Sequence, residues 1–143
     1  MKSLNEMKMV IDSRSVNEAF SRVSVAAFVS QLDPTLEEIS DIKTAVSEAV
    51  TNCIVHAYPN GLGKIYISAA LFENGTVRVK IKDRGVGIPD IEMAMQPLYS
   101  SLGGERAGLG FAVMESFTDK VRVTSKEGKG TTVTLTKKIN GRT

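Results

Sequence analysis

Apolar residues recur along this chain with two periods, one near two and one near 3.6, and the switches between them mark out the elements. Residues 6–13 carry Met7, Met9 and Ile11 at every second position, the spacing of a half-buried strand. After Ser13 or Ser15, either of which could cap a helix, the apolar positions become Val16, Phe20, Val23, Ala27 and Leu32. That pattern predicts a first helix with this stripe as its apolar face. Asp33-Pro34-Thr35-Leu36-Glu37-Glu38 opens a second helix, with proline in the first turn and Thr35 and Glu38 at capping-box spacing. Ile39, Ile42, Val46, Ala49, Val50 and Cys53 carry it to about Ala57, and Pro59 with the glycines that follow ends it.

Period two returns in residues 64–71 and 76–82, joined by Glu73-Asn74-Gly75, whose Asn-Gly pair predicts a two-residue hairpin turn. Asp83-Arg84-Gly85-Val86-Gly87-Ile88-Pro89 then reads as a glycine-rich loop, followed by a short helical piece near Ile91 to Met95. Gln96 to Gly110 has no clear period and reads as a long loop, of a length that is usually functional or disordered. A helix from Gly110 to Phe117 and a closing hairpin, 120–125 with 131–137, complete the chain. The order βααββ, then a loop-rich connection, then αββ predicts an α+β fold. It is a two-layer α/β sandwich with helices on one face of a mixed, mostly antiparallel sheet, one domain over residues 1–143.

Composition narrows the function classes. A chain of 143 residues, 42% hydrophobic and 24% charged, can bury one sizeable core but not two. Net charge is only +2, and the eighteen Lys and Arg read as scattered along the sequence rather than clustered, which argues against direct nucleic-acid binding. Apolar runs stop well short of eighteen residues, and Met1-Lys2-Ser3-Leu4-Asn5-Glu6 lacks the apolar core of a secretion signal. The expectation is a cytoplasmic protein with no membrane partner. One cysteine, Cys53, and one histidine, His56, give no transition-metal set.

Within the second helix, Glu48, Asn52 and His56 stand at four-residue intervals and therefore on one face. A neutral amide oxygen suits a hard cation shared with phosphates, and a carboxylate one turn away could orient a hydroxyl nucleophile; a solvated surface pair is the alternative. His56 is a phosphate contact or simply structural. Asp83, at a strand end before Gly85 and Gly87, could accept a hydrogen bond from an exocyclic amine such as adenine presents, or merely close an Asx turn. Gly108-Leu109-Gly110, ahead of a helix, offers backbone amides to a phosphate. It is neither a Walker loop, since no Gly-Lys-Ser/Thr follows, nor a Rossmann fingerprint. Cys53 reads as core, and Arg22, Lys43 and Lys137-Lys138 as solvated charges.

Taken in order, Glu48-Ala-Val-Thr-Asn52, Asp83-x-Gly85-x-Gly87, Gly108-Leu-Gly110 and Gly130-Thr131 resemble the N, G1 and G2 boxes and the late Gly-Thr of the GHKL ATPase/kinase superfamily. Glu18-Ala-Phe-Ser-Arg22-Val, Leu32-Asp-Pro-Thr35, Gly85 through Ile91, Gln96-Pro-Leu98, Glu105-Arg106 and Met114-Glu-Ser-Phe117 narrow this. From about Glu6 to Lys138 the chain resembles the anti-sigma F family of spore-forming bacteria. The resemblance implies the Bergerat (GHKL) ATP-binding fold, ATP and Mg²⁺, and a homodimer. It also implies two linked activities: ATP-favoured sequestration of a sporulation sigma factor, and serine phosphorylation of a small anti-anti-sigma protein. Residue by residue it implies Glu48 as catalytic base, Asn52 as Mg²⁺ ligand and Asp83 as adenine reader. Gly85, Gly87, Gly108 and Gly110 would shape the nucleotide loops, Thr131 support the adenine end, Arg106 reach the phosphates from the lid, and Arg22 contact both protein partners.

Tyr99-Ser-Ser-Leu-Gly-Gly104 departs from the family pattern, which has a Thr-Thr and a Lys/Arg-Pro-Glu-Leu segment one residue longer, and Ala107 replaces a common serine. Phosphate contacts through Ser100, Ser101 and Arg106 are therefore expected to differ. The alternatives are a general-stress-type kinase of the same family, an ATP-gated sigma-binding module without kinase activity, and a detached histidine-kinase catalytic domain. An intact Glu48 favours a kinase over a pure binder, and the lack of a dimerisation helix pair with a phospho-accepting histidine argues against the last.

Overall fold

The computed structural model describes residues 2–88 and 104–141, with 104–109 described by backbone alone. Each alternating run forms a strand: β1 (Ser3–Asp12), β2 (Lys64–Phe72), β3 (Thr76–Asp83), β4 (Lys120–Lys126) and β5 (Gly130–Lys138). They pair antiparallel in the order β1-β2-β3-β5-β4. The β2–β3 turn has three residues rather than two: Gly75 N donates to Phe72 O at 2.9 Å, and Gly75 alone takes a positive φ, +87°. Asn74 instead closes the turn with its side chain, accepting Thr76 N at 3.0 Å.

The helices are α1 (Asn17–Val29), α2 (Leu36–Asn52) and α3 (Gly104–Phe117), with a 3₁₀ turn at Ser30–Leu32 and a π turn, Cys53–Ala57, continuing α2. One core joins them to the sheet: Val25, Val29, Val46, Val50, Phe111 and Met114 meet the inward rows headed by Ile65 and Val77. The α2 start is as its sequence predicts. Thr35 Oγ1 accepts Glu38 N at 3.1 Å while Glu38 Oε1 accepts Thr35 N at 2.9 Å, a complete capping box. Glu38 also accepts Asn140 N at 2.7 Å and Gly141 N at 3.1 Å, so one carboxylate ties the chain's C-terminal end to this helix.

α1 faces the other way from its expected stripe. Val16, Phe20 and Val23 are 75%, 55% and 54% exposed, and Ala27 is exposed too, while Ser21, Val25, Ala26 and Val29 are buried. The helix carries apolar residues on both sides, and the side that packs is the one with the small Ser21, whose hydroxyl donates to Asn17 O at 2.7 Å and so can be buried without loss. Neither expected serine caps it. Val16 is the N-cap, without a side-chain bond, and buried Ser13 instead pairs with Gly63, accepting Gly63 N at 2.9 Å and fixing where β2 starts relative to β1.

The charge reading changes as well. Strand alternation sets Arg78, Lys80 and Lys82 of β3 and Lys120 and Arg122 of β4 on the sheet face away from the helices. No Asp or Glu occupies the corresponding positions of β3, β5 or β4. Cations scattered in sequence are thus gathered in space. Among the described residues no helix is long and apolar enough to cross a membrane.

Candidate functional site

Near its C-terminus α2 turns Glu48 and Asn52, both half-buried, toward α3. A Cβ on Gly110 would stand 3.2 Å from Glu48 Oε2 and 3.4 Å from both Nδ2 and Oδ1 of Asn52. A residue without a side chain leaves these two polar groups uncrowded where the helices cross. Asn52 Nδ2 is buried and has no hydrogen-bond partner among the described residues. A buried donor left in that state costs about 1–3 kcal/mol, which a partner beyond the described residues would offset. Beyond Asn52 the helix loosens into its π turn, a local form common at functional sites. Ala57 O, at its end, accepts Val86 N at 2.9 Å and draws the loop after β3 against α2.

That loop begins at Asp83, the last residue of β3, which is only 6% exposed. Its Oδ1 accepts Gly85 N at 3.0 Å and Thr131 N at 3.2 Å, while among the described residues Oδ2 meets only the Cys53 thiol, at 3.5 Å. Burial pushes the Asp83 carboxyl above its ordinary range, against the opposing pull of these hydrogen bonds. Burial also pushes the Cys53 thiol well up, helped by the neighbouring Asp83 charge, so Cys53 remains a protonated donor. One carboxylate oxygen is therefore anchored twice by backbone, and the other keeps acceptor capacity. Gly87, at φ +77°, turns the loop back toward Lys126 O, where any side chain would collide.

Thr131, on β5, completes the wall. Ser125 Oγ donates to Gly130 O at 3.0 Å and accepts Ile88 N at 2.8 Å, so at its 2.8 Å contact with Thr131 the threonine is the donor. The Thr131 oxygen keeps its lone pairs. Asn52, Asp83, Gly87, Phe111 and Thr131, with Cys53 and His56, enclose a cavity of about 40 Å³. That holds a water or two.

The fold thus brings Asn52, Asp83, Gly87 and Thr131 to one cavity, with Glu48 and Gly110 adjoining through Asn52 and Gly85 bracing Asp83. Arg22 lies elsewhere. Its Nε is 3.0 Å from Glu18 Oε2, and Glu18 Oε1 accepts the Ser47 hydroxyl at 2.9 Å, one residue before Glu48. Burial would raise the Glu18 carboxyl, but Arg22 and Ser47 outweigh it and hold it below its usual range. The glycine cluster is corrected in kind: Arg106, Gly108 and Gly110 belong to α3, which starts at Gly104, and not to a loop ahead of it. Glu105, Arg106 and Ala107 are good helix formers, and Gly110 serves the approach to α2. The Arg106 side chain, Ser100 and Ser101, the helical piece at Ile91 to Met95 and the departing segment 99–103 lie outside the described residues.

Two contributors, Cys53 and Ser125, were not among the residues the sequence pointed to as functional. Ser125 was open to detection, because it is the one polar residue on the inward row Val121, Val123, Ser125 of β4. Cys53 was not, since it continues the apolar pattern of α2.

Comparison with known proteins gives a consistent result. Residues 12–137 match a family described as the histidine kinase-like ATPase domain. The chain is 55% identical over 136 residues to the anti-sigma F factor of Caldanaerobacter subterraneus subsp. tengcongensis, covering 94% of both chains. It is 53% identical over 136 residues to that of Geobacillus kaustophilus, covering 94% of this chain and 93% of the relative. Among solved structures, the RsbU and RsbW domains of a Mycobacterium tuberculosis protein superpose with a TM-score of 0.69 at 24% identity, over 94% of this chain and 32% of that longer one. The mycobacterial sensor histidine kinase MprB superposes with a TM-score of 0.59 at 17% identity, over 95% and 100%. The two superpositions establish the fold, a histidine kinase-like ATPase sandwich.

Proposed function

The chain belongs to the anti-sigma F factor family of histidine kinase-like ATPase domains, and on that premise we propose that it is an ATP-dependent anti-sigma factor and protein-serine kinase. It sequesters a sporulation sigma factor of the sigma F type and phosphorylates the anti-anti-sigma protein that would release it, acting as a homodimer in the cytoplasm. The observation that carries this reading is the approach of Gly110 to Glu48 and Asn52, which preserves two polar groups at a helix crossing where packing alone would favour apolar ones.

Asp83 Oδ2 accepts the adenine exocyclic amine while Gly85 N and Thr131 N hold Oδ1 in place. Gly85 and Gly87 keep the loop low enough for a flat ring, and the Thr131 hydroxyl supports the same end. Asn52 fits an Mg²⁺ site, because its amide is untethered at Nδ2 and a neutral oxygen completes a coordination set otherwise made of phosphate oxygens and water. Among the described residues no cluster of three or more His, Cys, Asp or Glu exists. Mg²⁺ held there supplies the positive charge that offsets the phosphates during transfer. Glu48 takes the proton of the acceptor serine as its Oγ–P bond forms and the bond to the β,γ-bridging oxygen breaks, with ADP leaving. By the family resemblance Arg106 and Gly108 would serve the phosphate side, Gly110 keeps α3 close to α2, and Arg22, steadied by Glu18, contacts the protein partners.

The test is to incubate the protein with labelled ATP, Mg²⁺ and the host's candidate anti-anti-sigma proteins. Label on a serine of one acceptor is expected, and Glu48→Ala should retain Mg-ATP binding yet slow transfer by roughly 10²- to 10⁴-fold. Nucleotide binding without label on any acceptor would reduce the protein to an ATP-gated sigma-binding module. Full activity in Glu48→Ala would remove Glu48 from the chemistry.

A further inference from the structure

The open face of the sheet carries a feature that the nucleotide site does not use. There β5 lies between β3 and β4, and its outward residues are Thr132, Thr134 and Thr136. Register sets Lys80 and Arg122 on either side of Thr134, and Arg78 and Lys120 on either side of Thr136. The result is a trough with a threonine floor and cationic walls, a groove of about 470 Å³. Its walls stand about 10 Å apart and repeat about every 7 Å along the strands, from the strand spacing and two-residue rise. Arg78 leans over the Phe72 ring, 4.9 Å from its centroid, and keeps its charge. Among the described residues none of Arg78, Lys80, Lys120 and Arg122 has an ion-pair partner, although ion pairs form elsewhere, at Lys64–Asp12 and Lys137–Asp41.

A chain with a net charge of only +2 has thus concentrated unpaired positive charge on one face, at a cost in self-repulsion. We propose that this trough is a docking surface for an extended acidic polypeptide segment, lying along β5 with its carboxylates on the two cationic rows and its polar groups on the threonine hydroxyls. An extended chain repeats its side chains at the same interval as the walls. Single-stranded nucleic acid would match the charge, but it gains its affinity from bases stacked on aromatic rings. Phe72 is buried, and the outward Tyr66 already has Arg84 over its face at 4.7 Å. Acidic polypeptide is the better fit.

The experiment measures fluorescence anisotropy of a labelled oligoglutamate peptide, and of a labelled single-stranded oligonucleotide of equal charge, with the full chain across a salt series. Wild type should bind the peptide more tightly than the oligonucleotide and lose it as salt rises. Lys80→Glu with Arg122→Glu should weaken the peptide at least tenfold, Lys80→Gln with Arg122→Gln less, and Mg-ATP affinity, melting temperature and sedimentation mass should hold in both. Unchanged peptide affinity in the charge-reversed variant overturns the proposal. Tighter binding of the oligonucleotide overturns it in favour of nucleic acid. A change in sedimentation mass with peptide affinity intact overturns it in favour of a surface between copies of this chain.

Discussion

A single methyl group at residue 110 tests the site more sharply than deleting any of its side chains. Gly110→Ala places a carbon 3.2 Å from Glu48 Oε2 and 3.4 Å from both terminal atoms of Asn52, at or inside the close edge of ordinary contact. Both neighbours are side-chain ends, so they yield by a few tenths of an ångström and the helices need not part. Alanine in a helix interior is favoured over glycine by about 1 kcal/mol, and the crowding offsets part of that. Stability should therefore change by no more than about 1 kcal/mol, a few degrees in Tm. Activity should not be spared. If a misplacement of about 1 Å costs on the order of 100-fold, a third of that costs roughly fivefold in the transfer step. Single-turnover phosphorylation at saturating Mg-ATP reads that loss, and calorimetry reads the accompanying fall in Mg-ATP affinity through Asn52. A variant that melts higher by the full helix-propensity gain, with transfer rate and nucleotide affinity both unchanged, would show that Gly110 does not hold these two groups in position.

Asn52→Ala should abolish the metal-dependent part of nucleotide affinity and leave stability unharmed, since its buried Nδ2 makes no bond among the described residues; calorimetry with and without Mg²⁺ decides, and equal affinities would exclude Asn52 as a ligand. Asp83→Asn should weaken ATP at least tenfold, an amide nitrogen replacing the free acceptor, without loss of stability at neutral pH. Because burial raises the Asp83 carboxyl, the wild type is favoured by its protonated form below the ordinary value of 3.8 and loses that advantage as pH rises through the raised value. The Asn variant should gain on wild type across that interval in urea unfolding; a constant difference would contradict it. For Glu38 the sign reverses. Burial raises its carboxyl, but the backbone amides of Thr35, Asn140 and Gly141 outweigh that and lower it, so its contribution is present above 4.5 and is lost as pH falls through the lowered value. Glu38→Gln should cost about 1 kcal/mol at neutral pH, a modest figure because the group is partly solvated, and nothing in strong acid; an equal cost at both pH values would refute the assignment.

What could be foreseen in this chain depended on whether a residue's role is set by its near neighbours. The capping box at Thr35 and Glu38 closes within four residues, and the strands announce themselves by alternation, so both were legible. The facing of α1 was not. Its sequence supports two apolar stripes, and only the approach to α2 and the sheet, eased by Ser21, selects the one with Val25 and Val29. Glycines 108 and 110 read as loop because glycine punctuates, yet both lie in a helix, and Gly110 serves a crossing with α2, far removed from it in sequence. The cationic trough was hidden for the same reason: its walls alternate with core residues on two strands separated by the whole nucleotide loop.

The site itself divides along this line, and the division has a physical cause. Glu48, Asn52 and Asp83 were visible because each interrupts an apolar pattern that its element would otherwise continue, and burying a polar group needs a reason. Cys53 was invisible because a thiol is apolar enough to continue the pattern while still donating to Asp83 at 3.5 Å. Ser125 falls between, breaking an inward row without the cost of a charge. Its hydroxyl takes part in bonds to Gly130, Ile88 and Thr131, so it fixes two walls of the cavity at once. A polar residue on an inward strand row, however small, is therefore evidence of the same kind as a buried carboxylate. Applied to this chain, that rule finds Thr131 and Ser125 from alternation alone, one and two strands away from Asp83.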